Sequence, residues 1–420
     1  MEFFLLQVVA FLRPILFVEI GMSNIFDIGG IGIILILITA IMIRGATGQV
    51  LAFNLIDALI AAFVTWAIVC TIIYPETMDI RSLAKLTTPF VCYTVAKNVL
   101  RDRAQYMRLL FLMILGYVLP VIISAGLIMM GKGAEKYGAD YWTGLLRWEG
   151  IYDGAHNMGH NMTFLLMLLV LYISFREFKG NGAENALATP TPSGNSLSMP
   201  AMMALIALAL PALYCLWMSQ VRTALLGLMV FTGVYLFYRN RRLLVIGTGA
   251  IAVIAIVMFP IIKPYLFPDI VMIEKTGGDA ELIGSGRPIF WKDNLSLFAD
   301  LPIDRQLAGV GIGRHRLPGF MDSHNDILDL LIQTGIVGLG IYLVLQVAIL
   351  KRLLQLHGME KHVFVALFTA VLVMNLVSNS YVARFGMAQM YYLVIAFVDI
   401  RLSTSADWDL KKSNSVYPAG

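Results

Sequence analysis

The feature that most constrains this chain is a series of apolar blocks, each long enough to cross a lipid bilayer. A helix needs roughly 17–25 apolar residues to span the hydrocarbon core. Clear examples are Leu109–Met130, Ala201–Trp217, Leu243–Ile262 and Ile336–Leu350. Hydrophobic residues make up 59% of the chain and charged residues 14%, which is too unbalanced for one core surrounded by water. The sequence therefore predicts an all-α polytopic membrane protein.

The apolar blocks predict about twelve transmembrane helices. We place them at roughly 3–20, 29–43, 50–73, 84–99, 108–130, 161–175, 200–218, 222–238, 243–262, 335–350, 362–378 and 385–400. Every second junction carries basic residues, with Arg44, Arg101, Arg176, Arg239 and Lys351 as examples. Because cytoplasmic loops are enriched in Lys and Arg, this alternation predicts a cytoplasmic N-terminus.

The predicted spans divide the chain into three parts. Residues 1–262 hold the first nine helices, with a flexible cytoplasmic linker at 180–198 that is rich in Gly, Ser, Pro and Asn. Residues 263–334 form the one larger external loop, about 70 residues long, which we expect to carry short helices. Residues 335–420 hold the last three helices and a cytoplasmic tail. A net charge of only +4 gives little support for a nucleic-acid partner, whereas membrane lipids are expected neighbours.

Unusual polar residues gather in the predicted external segments. The sequence Ser323-His-Asn-Asp-Ile-Leu-Asp-Leu-Leu runs directly into a span, and its apolar spacing predicts a helix over 326–333. His324 and Asn325 would then lie at the start of a helix, where free N–H groups suit an anion. Gly335 and Gly338 permit close helix packing at the membrane entry.

Arginines are the most telling of these external residues. Guanidinium groups bind phosphate oxygens bidentately and stay charged in any environment, so a lipid-linked diphosphate is the anion we expect at this depth. The external arginines are Arg147, Arg222, Arg287, Arg314 and Arg316. Two have simpler explanations: Arg222 as an interfacial arginine that extends toward water, and Arg147 as a partner of Glu149 or of lipid phosphate.

A displacement at a sugar carbon, with diphosphate leaving, fits this arrangement. Positioned arginines would neutralise the charge that develops on the leaving group. The acceptor hydroxyl must also lose a proton. His324 is the candidate base, because imidazole titrates near neutral pH.

Five motifs, in order, resemble the bacterial O-antigen ligase and O-antigen (exopolysaccharide) polymerase family. His324-Asn325 followed by a helix and Gly335-Ile-Val-Gly338 is similar to the family signature. The other similar segments are Gly150–Asn157, Ser219–Gly227, Ser285–Trp291 and Gly309–Gly313.

The resemblance implies an inner-membrane enzyme of bacteria with its active site facing the periplasm. Such enzymes transfer a glycan from undecaprenyl diphosphate to an acceptor sugar, with no nucleotide, metal or other cofactor. The resemblance also implies that Arg222 and Arg287 bind the diphosphate and that His324 lies at the catalytic centre. Further candidates for binding the diphosphate or substrate are Arg147, His156, Asn157, Arg314, His315, Arg316 and Asn325.

Two activities within this family remain open. A ligase passes the glycan to lipid A–core in lipopolysaccharide biosynthesis, whereas a polymerase passes it to another lipid-linked repeat. One dominant external loop favours the ligase, since many polymerases carry two large ones.

Two other classes of function are alternatives. A lipid-linked oligosaccharide flippase would place ionisable residues along a path through mid-membrane, where Asn54 and Asp57 are the main candidates. A cation site would use Asp322, His324, Asp326 and Asp329, or His156 with His160. Carboxylates that cap a helix start, and an interfacial histidine, explain these residues more simply, so no metal is expected.

Overall fold

We describe the chain from a computed structural model. The structure describes residues 1–16, 23–48, 51–74, 80–139, 146–177, 198–276, 284, 286–312, 323–378 and 385–402. The predicted linker at 180–198 lies outside the described residues except for Ser198, and so does the tail beyond 402.

The described residues are predominantly helical. Their elements are α1 (Glu2–Ile15), α2 (Ser23–Ala46), α3 (Leu55–Ile73), α4 (Ile80–Val99), α5 (Arg103–Met129), β1 (Ala134–Ala139), β2 (Leu146–Trp148), α6 (Ala155–Glu177), α7 (Met199–Ser219), α8 (Arg222–Arg239), α9 (Arg241–Leu266), α10 (Pro268–Thr276), α11 (Arg287–Ala299), α12 (Ile303–Ala308), α13 (Asp326–Gln355), α14 (Gly358–Val377) and α15 (Phe385–Ile395). The antiparallel pair β1–β2 is an exception to the all-α prediction, and it lies in the segment between α5 and α6.

Six helices in the described part of the chain are long and apolar enough to cross a membrane: α3, α5, α6, α7, α13 and α14. The count of twelve spans is therefore not confirmed, while a multi-pass helical membrane protein is supported. Among these six, α6 is the central helix, since 89% of its apolar window is buried, against 22% for α7.

Polar caps determine where several of these helices begin. Asn54 precedes α3 and accepts hydrogen bonds from the N–H groups of Ile56 and Asp57, and the Asp57 carboxylate accepts from the N–H of Asn54 in return. This reciprocal capping box fixes a helix end. The prediction that Asn54 and Asp57 lie in mid-span is wrong, because α3 begins at Leu55 and not at residue 50.

One end of the bundle is tied together by ion pairs between helix ends. The pairs are Lys97–Asp57, Arg103–Glu360 at 3.6 Å, Arg401–Glu360 at 3.2 Å and Arg352–Asp399 at 3.6 Å. Helix α14 begins at this end with Glu360 and α13 finishes there with Arg352. The start of α13 and the end of α14 therefore lie at the opposite end of the bundle.

In the segment predicted as an external loop, 263–334, the described residues form three short helices, α10, α11 and α12. Its first residues continue α9, which ends at Leu266, and its last residues form the start of α13. The extent of a separate 70-residue loop is therefore not confirmed.

A backbone-to-backbone contact fastens this segment to α13. Gly335 interrupts the helix with φ 68° and ψ −174°, a conformation that favours glycine. The N–H of Val310 donates to the carbonyl of Ile332 at 2.8 Å, and a Cβ on Gly309 would lie 2.4 Å from the carbonyl oxygen of Gln333. Glycine is required because the two main chains touch.

The sequence also predicts close helix packing at Gly338, and the structure confirms it. A Cβ added there would lie 2.9 Å from the Trp66 ring of α3. The Trp66 indole N–H also donates to the carbonyl of Thr334 at 2.8 Å. The start of α13 is thus held against both α3 and the segment around Gly309.

Candidate active site

An open cavity of about 340 Å³ lies at the end of the bundle away from the ion pairs. It is lined by Arg147, His156, Gln220, Val221, Arg222, Thr223, Leu226, Gly284, Arg287 and Val377. Three arginines distant in sequence therefore meet around one space. One comes from β2, one from α8 and one from α11.

The cavity lies where several helices begin. Arg222 is the first residue of α8, Arg287 is the first residue of α11, and His156 is in the first turn of α6. The N-cap residues of α8 and α11 are Val221 and Gly286, whose side chains cannot accept a hydrogen bond from the first turn. Helix starts of this kind carry partial positive charge, which adds to that of the guanidinium groups.

A buried carboxylate positions Arg222. The Nη1 atom of Arg222 lies 3.0 Å from Oδ2 of Asp269 in α10, and the Asp269 side chain is only 3% exposed. The same oxygen accepts from the N–H of Gly284 at 3.1 Å. One acidic residue therefore connects α8, α10 and the approach to α11, while the Arg222 side chain keeps 32% exposure toward the cavity.

The other two arginines are held by main-chain carbonyls. Arg287 Nη1 donates to the carbonyl of Val377, the last residue of α14, at 2.6 Å. Arg147 Nε lies 3.5 Å from the carbonyl oxygen of Ser219, the last residue of α7. Among the described residues that line the cavity, three are arginines and none is acidic.

His324 lies immediately before α13 in an unusual backbone conformation. Its φ is 48°, which a residue other than glycine adopts only where its surroundings hold it. Trp291 of α11 donates its indole N–H to the carbonyl of Ser323 at 2.6 Å, and the Ser323 hydroxyl donates to Asp329 at 2.5 Å. These contacts fix the residue next to His324 from two helices.

A row of three histidine rings connects His324 to the cavity lining. The His324 and His156 ring centres are 6.4 Å apart, and those of His156 and His160 are 6.3 Å apart. His160 is fully buried, with Nδ1 2.8 Å from the carbonyl oxygen of His156 and Nε2 3.5 Å from the Thr223 hydroxyl. Since Thr223 follows Arg222, this row also links α6 to the start of α8.

Of the remaining predicted residues, two are among the described residues and three are not. Asn325 is the N-cap of α13 and accepts from the N–H groups of Ile327 and Leu328, which agrees with its predicted position at a helix start, while its role in substrate binding stays a prediction. Asn157 donates to the carbonyl of Asp153 at 2.7 Å and is not among the described residues that line the cavity. Arg314, His315 and Arg316 lie outside the described residues.

Sequence reasoning missed three contributors to this site. Asp269 is the most important, and its only signal is an acidic residue after Pro268 at a helix start. Gln220 lines the cavity in a left-handed conformation with φ 56°, and Val377 contributes a carbonyl oxygen. In the described part of the chain, no three His, Cys, Asp or Glu residues cluster as metal ligands would.

Residues 206–343 match the model of a family described as O-antigen ligase. The matched segment is one third of the chain and contains Arg222, Arg287 and His324, whereas Arg147 and His156 precede it. No curated protein matches the chain. This match confirms the resemblance found in the sequence: over residues 206–343 the chain is similar to the O-antigen ligase family.

Proposed function

We propose that this protein is an O-antigen ligase that transfers a glycan from undecaprenyl diphosphate to a sugar of lipid A–core on the periplasmic face of the bacterial inner membrane. The observation that carries the proposal is the meeting of Arg147, Arg222 and Arg287 around one cavity at the starts of two helices. A diphosphate offers the paired oxygens and the charge that such a lining binds.

The proposed reaction is a displacement at the anomeric carbon of the donor sugar. The acceptor oxygen forms a bond to that carbon while the bond from the carbon to the diphosphate oxygen breaks, and the electron pair leaves with undecaprenyl diphosphate. The arginines neutralise the charge that develops on the leaving group. Arg222 and Arg287 are fixed beforehand by Asp269 and by the carbonyl of Val377, so little reorganisation accompanies the step.

His324 is the proposed base that takes the proton from the acceptor hydroxyl. Support comes from its position before α13, its held backbone and the 6.4 Å between its ring and that of His156 in the cavity lining. The acceptor sugar would then lie between His324 and the diphosphate.

Transfer by the purified protein tests this proposal. The protein is placed in liposomes with undecaprenyl-diphosphate-linked repeats, with and without lipid A–core. We expect glycan on lipid A–core and no lengthening of the lipid-linked chain. Lengthening without that acceptor would instead identify a polymerase, and no transfer to either acceptor would contradict the proposed activity.

His324→Ala should reduce transfer by roughly 100-fold or more in the same assay, the scale of general base catalysis. His357→Ala is the matched control, because His357 is the N-cap of α14 at the other end of the bundle. If His324→Ala left turnover intact, this residue would have no part in the chemistry.

Lysine at Arg222 or Arg287 should lower transfer even though the charge is kept, because an ammonium group cannot reproduce the bidentate fork of a guanidinium. The expected loss is about tenfold or more for each variant, measured as initial rates at saturating acceptor. Arg239→Lys, at the far end of α8, is the control. Unchanged rates in both test variants would contradict binding of the diphosphate by these arginines.

A further inference from the structure

We propose that a groove at the end of the bundle opposite the candidate active site binds the phosphate headgroup of an anionic glycerophospholipid. The groove has a volume of about 520 Å³ and lies between the start of α5 and the end of α6. Its lining combines three arginines with three aromatic rings: Arg103, Arg108, Arg176, Phe111, Tyr172 and Phe175.

Two of these arginines are positioned by contacts within the groove. Arg103 Nη2 donates to the carbonyl of Phe175 at 2.5 Å, and its guanidinium lies 5.1 Å from the centre of the Phe175 ring. Arg176 Nη2 donates to the Tyr172 hydroxyl at 3.0 Å. These contacts orient the two guanidinium groups, and a guanidinium has five N–H donors in a planar fork that suits phosphate oxygens.

The charge of the groove favours an anion. The acidic residue 3.6 Å from Arg103 is Glu360, whose carboxylate is also paired with Arg401 at 3.2 Å. Arg108 is exposed at the rim. Basic pockets between helices at a membrane surface are a recurrent form of headgroup site.

An apolar stripe on α5 extends from the groove and indicates a lipid in place of a soluble phosphate. Phe111, Leu115, Leu119 and Ile122 are 42–57% exposed and lie on one helix face at steps of four, four and three residues. At 1.5 Å per residue this stripe is about 16 Å long, close to one half of a hydrocarbon core roughly 30 Å thick. Acyl chains along the stripe would place the headgroup phosphate among the arginines.

Lipid binding by the purified full-length protein tests this inference. Native mass spectrometry would measure the affinity for phosphatidylglycerol, cardiolipin and phosphatidylcholine added to detergent-solubilised protein. We expect retention of the two anionic lipids over phosphatidylcholine. Arg108→Gln with Arg176→Gln should weaken that binding by about tenfold or more, the scale of a charge-assisted hydrogen bond. Arg108→Gln alone, at an exposed position, provides a second variant should the double variant fail to fold.

The matched control removes two arginines at the same end of the bundle but outside the groove, Arg241→Gln with Arg242→Gln. An equal loss in this control would show general attraction to basic helix ends and overturn the proposal. Equal binding of soluble glycerol phosphate, or stronger binding of undecaprenyl phosphate, would also overturn it. The readout is binding at the other end of the molecule, so failure here is distinguishable from failure of the proposed transfer activity.

Discussion

At the scale of single residues, Asp269 holds the candidate site together. It is buried, it lies 47 residues from Arg222 in the sequence, and it accepts hydrogen bonds from both Arg222 and Gly284. A carboxylate in this position reduces the electrostatic free energy of holding one arginine beside two others. It also determines the direction of the Arg222 guanidinium. The acidic residue is therefore expected to support anion binding, although its own charge opposes an anion.

Asp269→Asn should reduce glycan transfer by roughly 10- to 100-fold, because a charge-assisted hydrogen bond that orients Arg222 is lost. The amide oxygen can still accept from the N–H of Gly284, so the fold should persist. Glu274→Gln is the matched control, since Glu274 is on the same helix and pairs with Lys263 while 56% exposed. Transfer at the wild-type rate in Asp269→Asn, measured in the liposome assay, would show that Arg222 needs no such partner.

At the scale of elements, the sequence could predict features that depend on near neighbours. The helix start beside His324 and Asn325, and glycine at 335 and 338 for close packing, follow from local patterns. Residues that contact each other across a long sequence separation show no such local pattern. The contact of Gly335 with the segment around Gly309 joins two main chains, and main chains carry no side-chain pattern from which to infer it.

The mid-span assignment of Asn54 failed for a related reason. Its apolar flank, Val50-Leu-Ala-Phe53, reads as a continuous span, whereas the capping box starts the helix only at Leu55. The side-chain amide of Asn54 also donates to Asp399 at 2.6 Å, a contact across 345 residues. Hydropathy alone does not distinguish an apolar approach to a helix from the helix itself.

Gly335→Ala should destabilise the folded protein by roughly 3 kcal/mol or more. Alanine at this position would have to keep a φ of 68°, which is unfavourable for any residue with a Cβ atom. Its methyl group would also lie 2.2 Å from the carbonyl oxygen of Leu307. Gly340→Ala, later in the same helix, meets nothing within 4 Å among the described residues and should change stability by about 1 kcal/mol at most, in the stabilising direction. Unfolding in detergent micelles measures both. Equal stability of the two variants would contradict the role assigned to the Gly309–Gly335 contact.

At the scale of the whole molecule, the two ends of the bundle differ in chemistry. One end carries the ion pairs of Glu360 and Asp399 and the groove with Arg103, while the other carries the cavity with Arg222. Each of α6, α8, α13 and α14 runs from one end to the other. The alternation of basic junctions in the sequence predicts that the cavity faces the periplasm.

Single cysteines can test this orientation, because Cys70, Cys92 and Cys215 are all buried and should not react with a membrane-impermeant maleimide. Lys292→Cys introduces an exposed thiol on α11, whose first residue lines the cavity, and Arg241→Cys introduces one at the start of α9, at the opposite end. In cells whose outer membrane admits the reagent, we expect labelling of Lys292→Cys alone, with Arg241→Cys reacting only after the inner membrane is disrupted. The reverse pattern would place the cavity in the cytoplasm, away from lipid A–core acceptors on the outer face, and would contradict the proposed ligase.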